Sequence, residues 1–243
     1  LGSGADSISF TSTLSASTID AGADDDTIMF GTAAKFASSS IDGGAGDDSL
    51  VFSAVVNSTT SVAGGGGSDT ISFAKSVSGA LISTDSSFDS ITFTTQVTGS
   101  TMWGGGGTQT MVFSSAADDA VFSKAFGGGI ISLGAGDDTL TFSGAALTGT
   151  TITGVDNADT LIFVGGMVTT VFSGEIGTGA QVSFGAGDDM ATFSGTIGVA
   201  SIYGGVGVDR FDFNGAIGAA TIDSGAGIDS LDFNGSALAG TTV

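Results

Sequence analysis

Ten aspartates recur about every 20 residues, at Asp6, Asp26, Asp48, Asp69, Asp89, Asp138, Asp159, Asp189, Asp209 and Asp229. Gln109 stands at the one place where the series is broken. A second carboxylate precedes several of them, at Asp25, Asp47, Asp137 and Asp188. Side chains of this type can hold hard cations or move protons. A hard divalent cation takes six to eight oxygens from carboxylates and backbone carbonyls and needs no nitrogen or sulfur ligand. The chain offers neither, since it has no His and no Cys. Proton-transfer catalysis is poorly supplied too: there is a single Glu (Glu175), a single Tyr (Tyr203) and a single Arg (Arg210) to act as acid, base or oxyanion partner. Paired aspartates can cleave glycosidic bonds, but a catalytic pair occurs once and these pairs recur with the chain. The expectation is a protein that is not an enzyme.

A row of like charges needs neutralising. Two unit charges ~4.8 Å apart repel by roughly 0.9 kcal/mol even at the dielectric of water. Ten in line accumulate several kcal/mol against folding unless cations sit among them. The competing role for each Asp is local: a carboxylate that accepts backbone N–H groups within its own turn, with no metal.

The elements that position the aspartates follow from the spacing. Four residues after each Asp stands a phenylalanine: Phe10, Phe30, Phe52, Phe73, Phe93, Phe142, Phe163, Phe193, Phe213 and Phe233, with Phe113 after Gln109. The residue midway between is apolar, as in Asp48-Ser49-Leu50-Val51-Phe52. Polar–apolar alternation is the strand period of two, and a 20-residue period marks a stacked repeat. A second strand in each coil carries the apolar ladder Ile19, Ile41, Val62, Ile82, Met102, Ile131, Ile152, Val182, Ile202, Ile222 and Val243. The 43 Gly and absence of Pro suit many tight turns and strands in which every N–H pairs with a neighbour. The expected fold is therefore all-β: a right-handed parallel β-solenoid of about eleven coils of ~20 residues, two strands per coil. It forms a single continuous array over residues 1–243. Two spacings, Phe113 to Phe142 and Phe163 to Phe193, are about nine residues too long, which places insertions near 114–123 and 164–173. These read as short bulged excursions or extra strands on one edge.

Composition narrows the partners. The formal charge is −21, with only four Lys and Arg, so nucleic acid is excluded as a partner, because phosphate contacts need clustered basic side chains. A 41% hydrophobic content separates the chain from disordered acidic tails. No 18-residue apolar run is present, so no membrane-inserted helix is expected.

The turn Gly43-Gly44-Ala45-Gly46-Asp47-Asp48 followed by Ser49-Leu50-Val51 resembles the glycine- and aspartate-rich nonapeptide of RTX-type calcium-binding β-rolls. Similar turns open at Gly64 and Gly204, with looser forms at Gly2, Gly134, Gly185 and Gly225. The resemblance implies Ca²⁺ as the bound ion. It implies as ligating turns Asp6, Asp26, Asp48, Asp69, Asp138, Asp159, Asp189, Asp209 and Asp229, with Asp47, Asp137 and Asp188 beside them. The glycines Gly44, Gly46, Gly65, Gly67, Gly134, Gly136, Gly185, Gly187, Gly205, Gly207, Gly225 and Gly227 would shape those turns. Only one of the two turns per coil keeps the motif; the other reads Ser-Gly-Ala or similar, as in Ser143-Gly144-Ala145. One line of ions along a single edge is the expectation. The turn Thr84-Asp85-Ser86-Ser87-Phe88-Asp89, which lacks glycine, and the turn before Gln109 are the weakest candidates.

The functional expectation is a structural, extracellular, calcium-binding repeat protein of a filament, surface layer or stalk. Secretion, by a type I route in bacteria, is implied by the resemblance alone. The two ends fit each other, since Gly240-Thr241-Thr242-Val243 placed before Leu1 recreates an internal phrase. The chain is thus expected to be a segment of a longer solenoid or to stack head to tail into a fibre or lattice. Two alternatives compete: a calcium-dependent adhesin or glycan-binding module, and an ice-binding solenoid that uses the outward Ser and Thr ladders, which Val51, Val112, Ile162, Met190, Arg210, Asp212 and Asp232 interrupt.

Overall fold

Alternating apolar residues build two long parallel sheets packed on one core. The computed structural model describes residues 1–57, 59–85, 87–143, 147–234 and 237–243. The turn residues Ser86, Gly144 and Ala145 singled out above lie outside the described residues. One sheet has 12 strands and the other 13, and every pairing between successive coils is parallel. The chain is a parallel β-solenoid of about 11 coils with two strands per coil, and no helix occurs among the described residues. The stacking is consistent with a β-roll type of repeat.

In the first five coils the Asp–Phe phrase lies in the 12-stranded sheet, as Ser7–Phe10, Thr27–Phe30, Ser49–Phe52, Thr70–Phe73 and Ser90–Phe93. Gln109–Val112 follows in the same sheet. Their inward residues stand in register from coil to coil: Ile8 on Ile28, Leu50 on Ile71, Ile71 on Ile91, Ile91 on Met111. The phenylalanine rings stack in a continuous column from Phe10 to Phe113, with centroids 4.7–5.3 Å apart. That spacing is the distance between strands, so each ring covers the next without leaving the pleat. The second strands of these coils, such as Ser40–Ala45, Ser61–Gly66, Leu81–Ser83 and Ser100–Trp103, form the 13-stranded sheet.

The two long spacings are half coils built into the sheets, and they correct the expectation of a single edge. Asp119–Phe122 pairs with Ser100–Trp103 in the 13-stranded sheet. From there the phrase stays in that sheet, as Thr139–Phe142 and Thr160–Phe163. Val168–Ser173, in the second long spacing, pairs in the 12-stranded sheet and returns the phrase there, as Met190–Phe193, Arg210–Phe213 and Ser230–Asp232. The phenylalanine columns record the shift. A second column runs Phe122, Phe142, Phe163, Phe184 and a third runs Phe172, Phe193, Phe213, Phe233. Where columns meet, rings turn edge-on, as Phe172 does to Phe184 at 88°.

The ladder of second strands is corrected in the same way. Ile131 and Ile152 extend the column of Met111 and Phe172 in the 12-stranded sheet, instead of continuing Met102. The physical reason is that a strand plus a turn occupies about ten residues. Adding one such unit swaps which sheet every later strand enters. The core accepts any apolar side chain at an inward position, so the swap opens no gap: Ile131, Ile152 and Phe172 are all fully buried.

Candidate cation-binding corners

The solenoid has two long edges where the chain turns from one sheet into the other. At the near edge it passes from the 13-stranded sheet into the 12-stranded one; at the far edge it passes back. Asp6, Asp26, Asp48, Asp69 and Asp89 occupy near-edge corners, because each precedes a strand of the 12-stranded sheet. Asp138 and Asp159 precede strands of the other sheet and so lie on the far edge; Asp189, Asp209 and Asp229 are back on the near edge. The sequence-predicted residues thus form three rows. The first has Asp47, Gly44, Gly46, Gly65 and Gly67 beside it. Asp137, Gly134 and Gly136 accompany the second, and Asp188, Gly185, Gly187, Gly205, Gly207, Gly225 and Gly227 the third.

Each row is a hydrogen-bonded chain of aspartates. The Asp6 N–H donates to Asp26 Oδ1 at 2.6 Å, Asp26 to Asp48 at 2.7 Å, Asp48 to Asp69 at 2.9 Å and Asp69 to Asp89 at 3.0 Å. On the far edge Asp118 donates to Asp138 at 2.7 Å and Asp138 to Asp159 at 2.8 Å. In the third row Asp189 donates to Asp209 at 2.9 Å and Asp209 to Asp229 at 3.0 Å. The neighbouring outer aspartates clasp in the opposite direction: Asp25 Oδ1 accepts from Asp47 N–H, and Asp47 Oδ1 from Ser68 N–H in the next coil. One carboxylate oxygen of every inner Asp after Asp6 therefore ties successive coils together, so the metal-free role expected within each Asp's own turn is met instead between coils.

The other oxygen has no such use. Asp26, Asp48, Asp69, Asp89, Asp138, Asp159, Asp189 and Asp209 are 0–2% exposed. The Oδ2 atom of every one of them is buried with no hydrogen-bond partner. A buried oxygen left alone costs about 1–3 kcal/mol, and more when charged. Burial raises the carboxyl pKa of Asp69 and Asp138 to about 7, and of Asp159 and Asp189 to about 6. In each case a backbone N–H opposes the rise, and at Asp159 two do, from Asp138 and Asn157. For Asp69 the like charges of Asp89 and Asp48 add to it, and for Asp138 those of Asp159 and Asp118. Asp48, Asp89 and Asp209 shift upward for the same leading reason.

The glycines make the corner possible. All the predicted turn glycines have φ between 87° and 158°, a region that side chains avoid. At Gly44 a Cβ would also lie 2.2 Å from the Gly22 carbonyl oxygen. Five residues before Asp48, a Cβ on Gly43 would meet Asp48 Oδ2 at 2.6 Å and the Gly64 carbonyl at 2.3 Å. Gly204 shows the same convergence of Asp209 Oδ2 and the Ser224 carbonyl. A partnerless carboxylate oxygen and a carbonyl of the next coil are thus drawn together beside bare backbone. Among the described residues no three acidic side chains cluster as a ready metal site. The donor set at a corner is one carboxylate oxygen supplemented by backbone carbonyls, an all-oxygen set that suits a hard cation.

No family model, curated protein or solved structure matches this chain. What the corners do must therefore be read from their own atoms.

One row member lies outside the ten aspartates named from the sequence. Asp118 opens the far-edge row: its Oδ1 accepts the Val97 N–H, and its Oδ2 accepts both the N–H and the hydroxyl of Ser114 at 3.0 Å. The phrase Asp118-Asp119-Ala120-Val121-Phe122 carries the full Asp-to-Phe signal and is legible once the half coil is recognised. Protein donors satisfy both of its oxygens, so this corner has no orphan. In the second half coil Val168 takes the acid's place, and its N–H donates to Asp189 Oδ1 at 2.7 Å. Gln109 closes the first row with a neutral amide. Its Nε2 donates to the Asp85 carbonyl at 2.9 Å, and its Oε1 is buried without a partner.

Proposed function

We propose that this chain is a cation-stabilised structural solenoid, an extracellular building element whose corner aspartates bind Ca²⁺. The observation that carries this reading is the repeated buried Oδ2 with no partner. Eight such oxygens recur at equivalent corners, and each asks for a proton or a cation once the carboxylate ionises. At neutral pH a cation neutralises the row without rebuilding the backbone. Asp26, Asp48, Asp69, Asp89, Asp138, Asp159, Asp189 and Asp209 would supply the carboxylate oxygens. Carbonyls such as those of Gly64 and Ser224 would supply further ligands. Asp118 would hold none, because Ser114 occupies its second oxygen.

A material role fits the rest of the surface. The corners recur with the coil, as a structural ion does, and charge relief at many corners makes folding itself depend on the cation. Millimolar calcium outside cells would hold the coils closed. Continuation of the two sheets, by further coils or by a second copy, would extend them into a filament, layer or stalk. Isothermal titration calorimetry with calcium chloride and thermal melts with and without EGTA test this. Several Ca²⁺ bound per chain and a large loss of melting temperature in EGTA are expected. No heat and an unchanged melting temperature would reject the reading.

A further inference from the structure

The half coils sort more than the aspartate rows: they sort the charged side chains of the corners between the two edges, while Asp20, Asp42, Asp212, Asp223 and Asp232 lie within strands. In the first block of coils the exposed Asp24, Asp25 and Asp47 and the half-buried Asp85 lie in near-edge turns, while the far edge of the same coils carries Lys35, which opens the short strand Lys35–Ala37, and Lys75, and no acid. In the middle block the arrangement is reversed. The exposed Asp119, Asp137 and Asp156 lie on the far edge, and the near-edge turn of that block carries Lys124, which sits 3.7 Å over the ring of Trp103. In the last block the acids Asp188 and Asp229 return to the near edge. Three of the chain's four basic residues thus stand at corners opposite an acid row. The fourth, Arg210, lies within a strand and pairs with Asp212 at 3.1 Å. Glu175 is the one exception, an exposed acid on the far edge of the last block.

We infer that copies of this chain associate side by side and parallel, near edge against far edge, in the one register where acid turns face lysine-bearing turns. Translating a copy sideways sets its near edge against its neighbour's far edge along the full length. Asp25 and Asp47 then face the level of Lys35, Asp85 faces Lys75, and Lys124 faces Asp119 and Asp137. Turning one copy end over end, or sliding it by a few coils of ~4.8 Å each, sets acid rows against each other. Exposed ion pairs are weak, about 0.2–1 kcal/mol each. The pattern therefore selects register and direction more than it supplies affinity. A translational near-to-far contact does not close, so it propagates into a flat array.

The second copy is identified by this complementarity alone, and the contact does not depend on the cation reading. Sedimentation velocity of the full chain, in calcium chloride and in EGTA, at low and high sodium chloride, tests association. Concentration-dependent species that dissolve at high salt are expected in at least one of the two buffers. Zero-length carboxyl–amine cross-linking followed by peptide mapping tests register, with Lys35 joined to Asp25 or Asp47, Lys75 to Asp85, and Lys124 to Asp119 or Asp137 across chains. The combined variant Lys35→Glu, Lys75→Glu, Lys124→Glu should weaken association by about tenfold at an unchanged melting temperature. Should that variant melt early, Glu175→Lys carries the test, because it removes the one misplaced acid and should tighten association. A wild-type chain that stays monomeric in both buffers overturns the inference. So do cross-links between acid-row blocks and lysines of another level, or a Glu175→Lys variant that associates no better. Calorimetry of calcium binding judges the cation reading separately.

Discussion

The corner at Asp69 and the corner at Asp138 lie on opposite edges of the molecule, lead into different sheets, and are built alike. Each inner carboxylate accepts the N–H of the preceding coil through Oδ1, leaves Oδ2 buried and alone, and has its pKa raised to about 7 by the same burial. Each strand that follows sends a phenylalanine into a stacked column. The corner is therefore a local unit, indifferent to which sheet receives its strand. Only the number of half coils before it decides the edge. The third case, Asp118, shows what the unit looks like when the protein satisfies it: Ser114 fills the role left open at Asp138.

The comparison can be broken most forcefully in the core. Phe73→Ala and Phe142→Ala remove rings from different columns in different sheets, and each should cost about 3–5 kcal/mol. Urea unfolding should return similar values for both. A much smaller loss at Phe142 would show that the middle block is packed less tightly.

The turns come next. Gly44→Ala places a Cβ 2.2 Å from the Gly22 carbonyl at φ 104° and should cost at least about 1–3 kcal/mol. Gly149 also has positive φ, 67°, but has open space around its Cβ position. Gly149→Ala should therefore cost less, about 1 kcal/mol. Thermal melts of the two variants sharpen the difference between a corner glycine crowded by its stacked neighbours and an uncrowded glycine at the irregularity within strand Leu147–Thr153.

Ionisation gives the third test. The folded-state pKa values of Asp69 and Asp138 lie above the ordinary 3.8. The folded chain therefore binds protons more tightly than the unfolded one. This contribution to stability is fully present below about pH 4 and is lost as pH rises through about 7. With divalent cations chelated, the melting temperature should fall over that window, and added calcium should restore it at pH 7.5 or above, about where both groups are ionised. Asp69→Asn and Asp138→Asn should each flatten the pH dependence in chelator and lower the response to calcium, by similar amounts on the two edges. Unequal responses would mean that the rows bind cations differently.

The smallest calcium-dependent effect is expected at Asp118. Asp118→Asn keeps an oxygen for the Val97 N–H but sets an amide NH2 where Oδ2 accepted from Ser114, whose N–H loses its acceptor, so it should cost about 1–3 kcal/mol. The loss should be the same with calcium and with EGTA, as differential scanning calorimetry would show. A calcium-dependent loss at Asp118 would erase the distinction from Asp138.

Much of this architecture was legible in the residues. The alternation in Asp48-Ser49-Leu50-Val51-Phe52 gives a strand with Leu50 and Phe52 inward, and both are fully buried. The glycines before most of the aspartates gave the turn, and their positive φ values follow. The register of the first five coils follows from the Asp-to-Phe count alone. What the count misplaced were Ile131 and Ile152, assigned to second strands, and the rows at Asp138 and Asp159, assigned to the same edge as Asp48. A strand phrase records which of its residues face inward, and both sheets offer the same inward surface, so the phrase carries no mark of its sheet.

The sequence by itself determined the unit: a turn of glycines, an aspartate at the strand entrance, an apolar residue and a phenylalanine inside. These are local matters of backbone freedom and side-chain polarity, which neighbouring residues settle. The tertiary structure alone decided where the units go. Parity of half coils places the rows on two edges, and stacking of coil on coil leaves one oxygen of each corner aspartate bonded and the other alone. Both depend on which strand lies above which, a relation between residues about 20 apart.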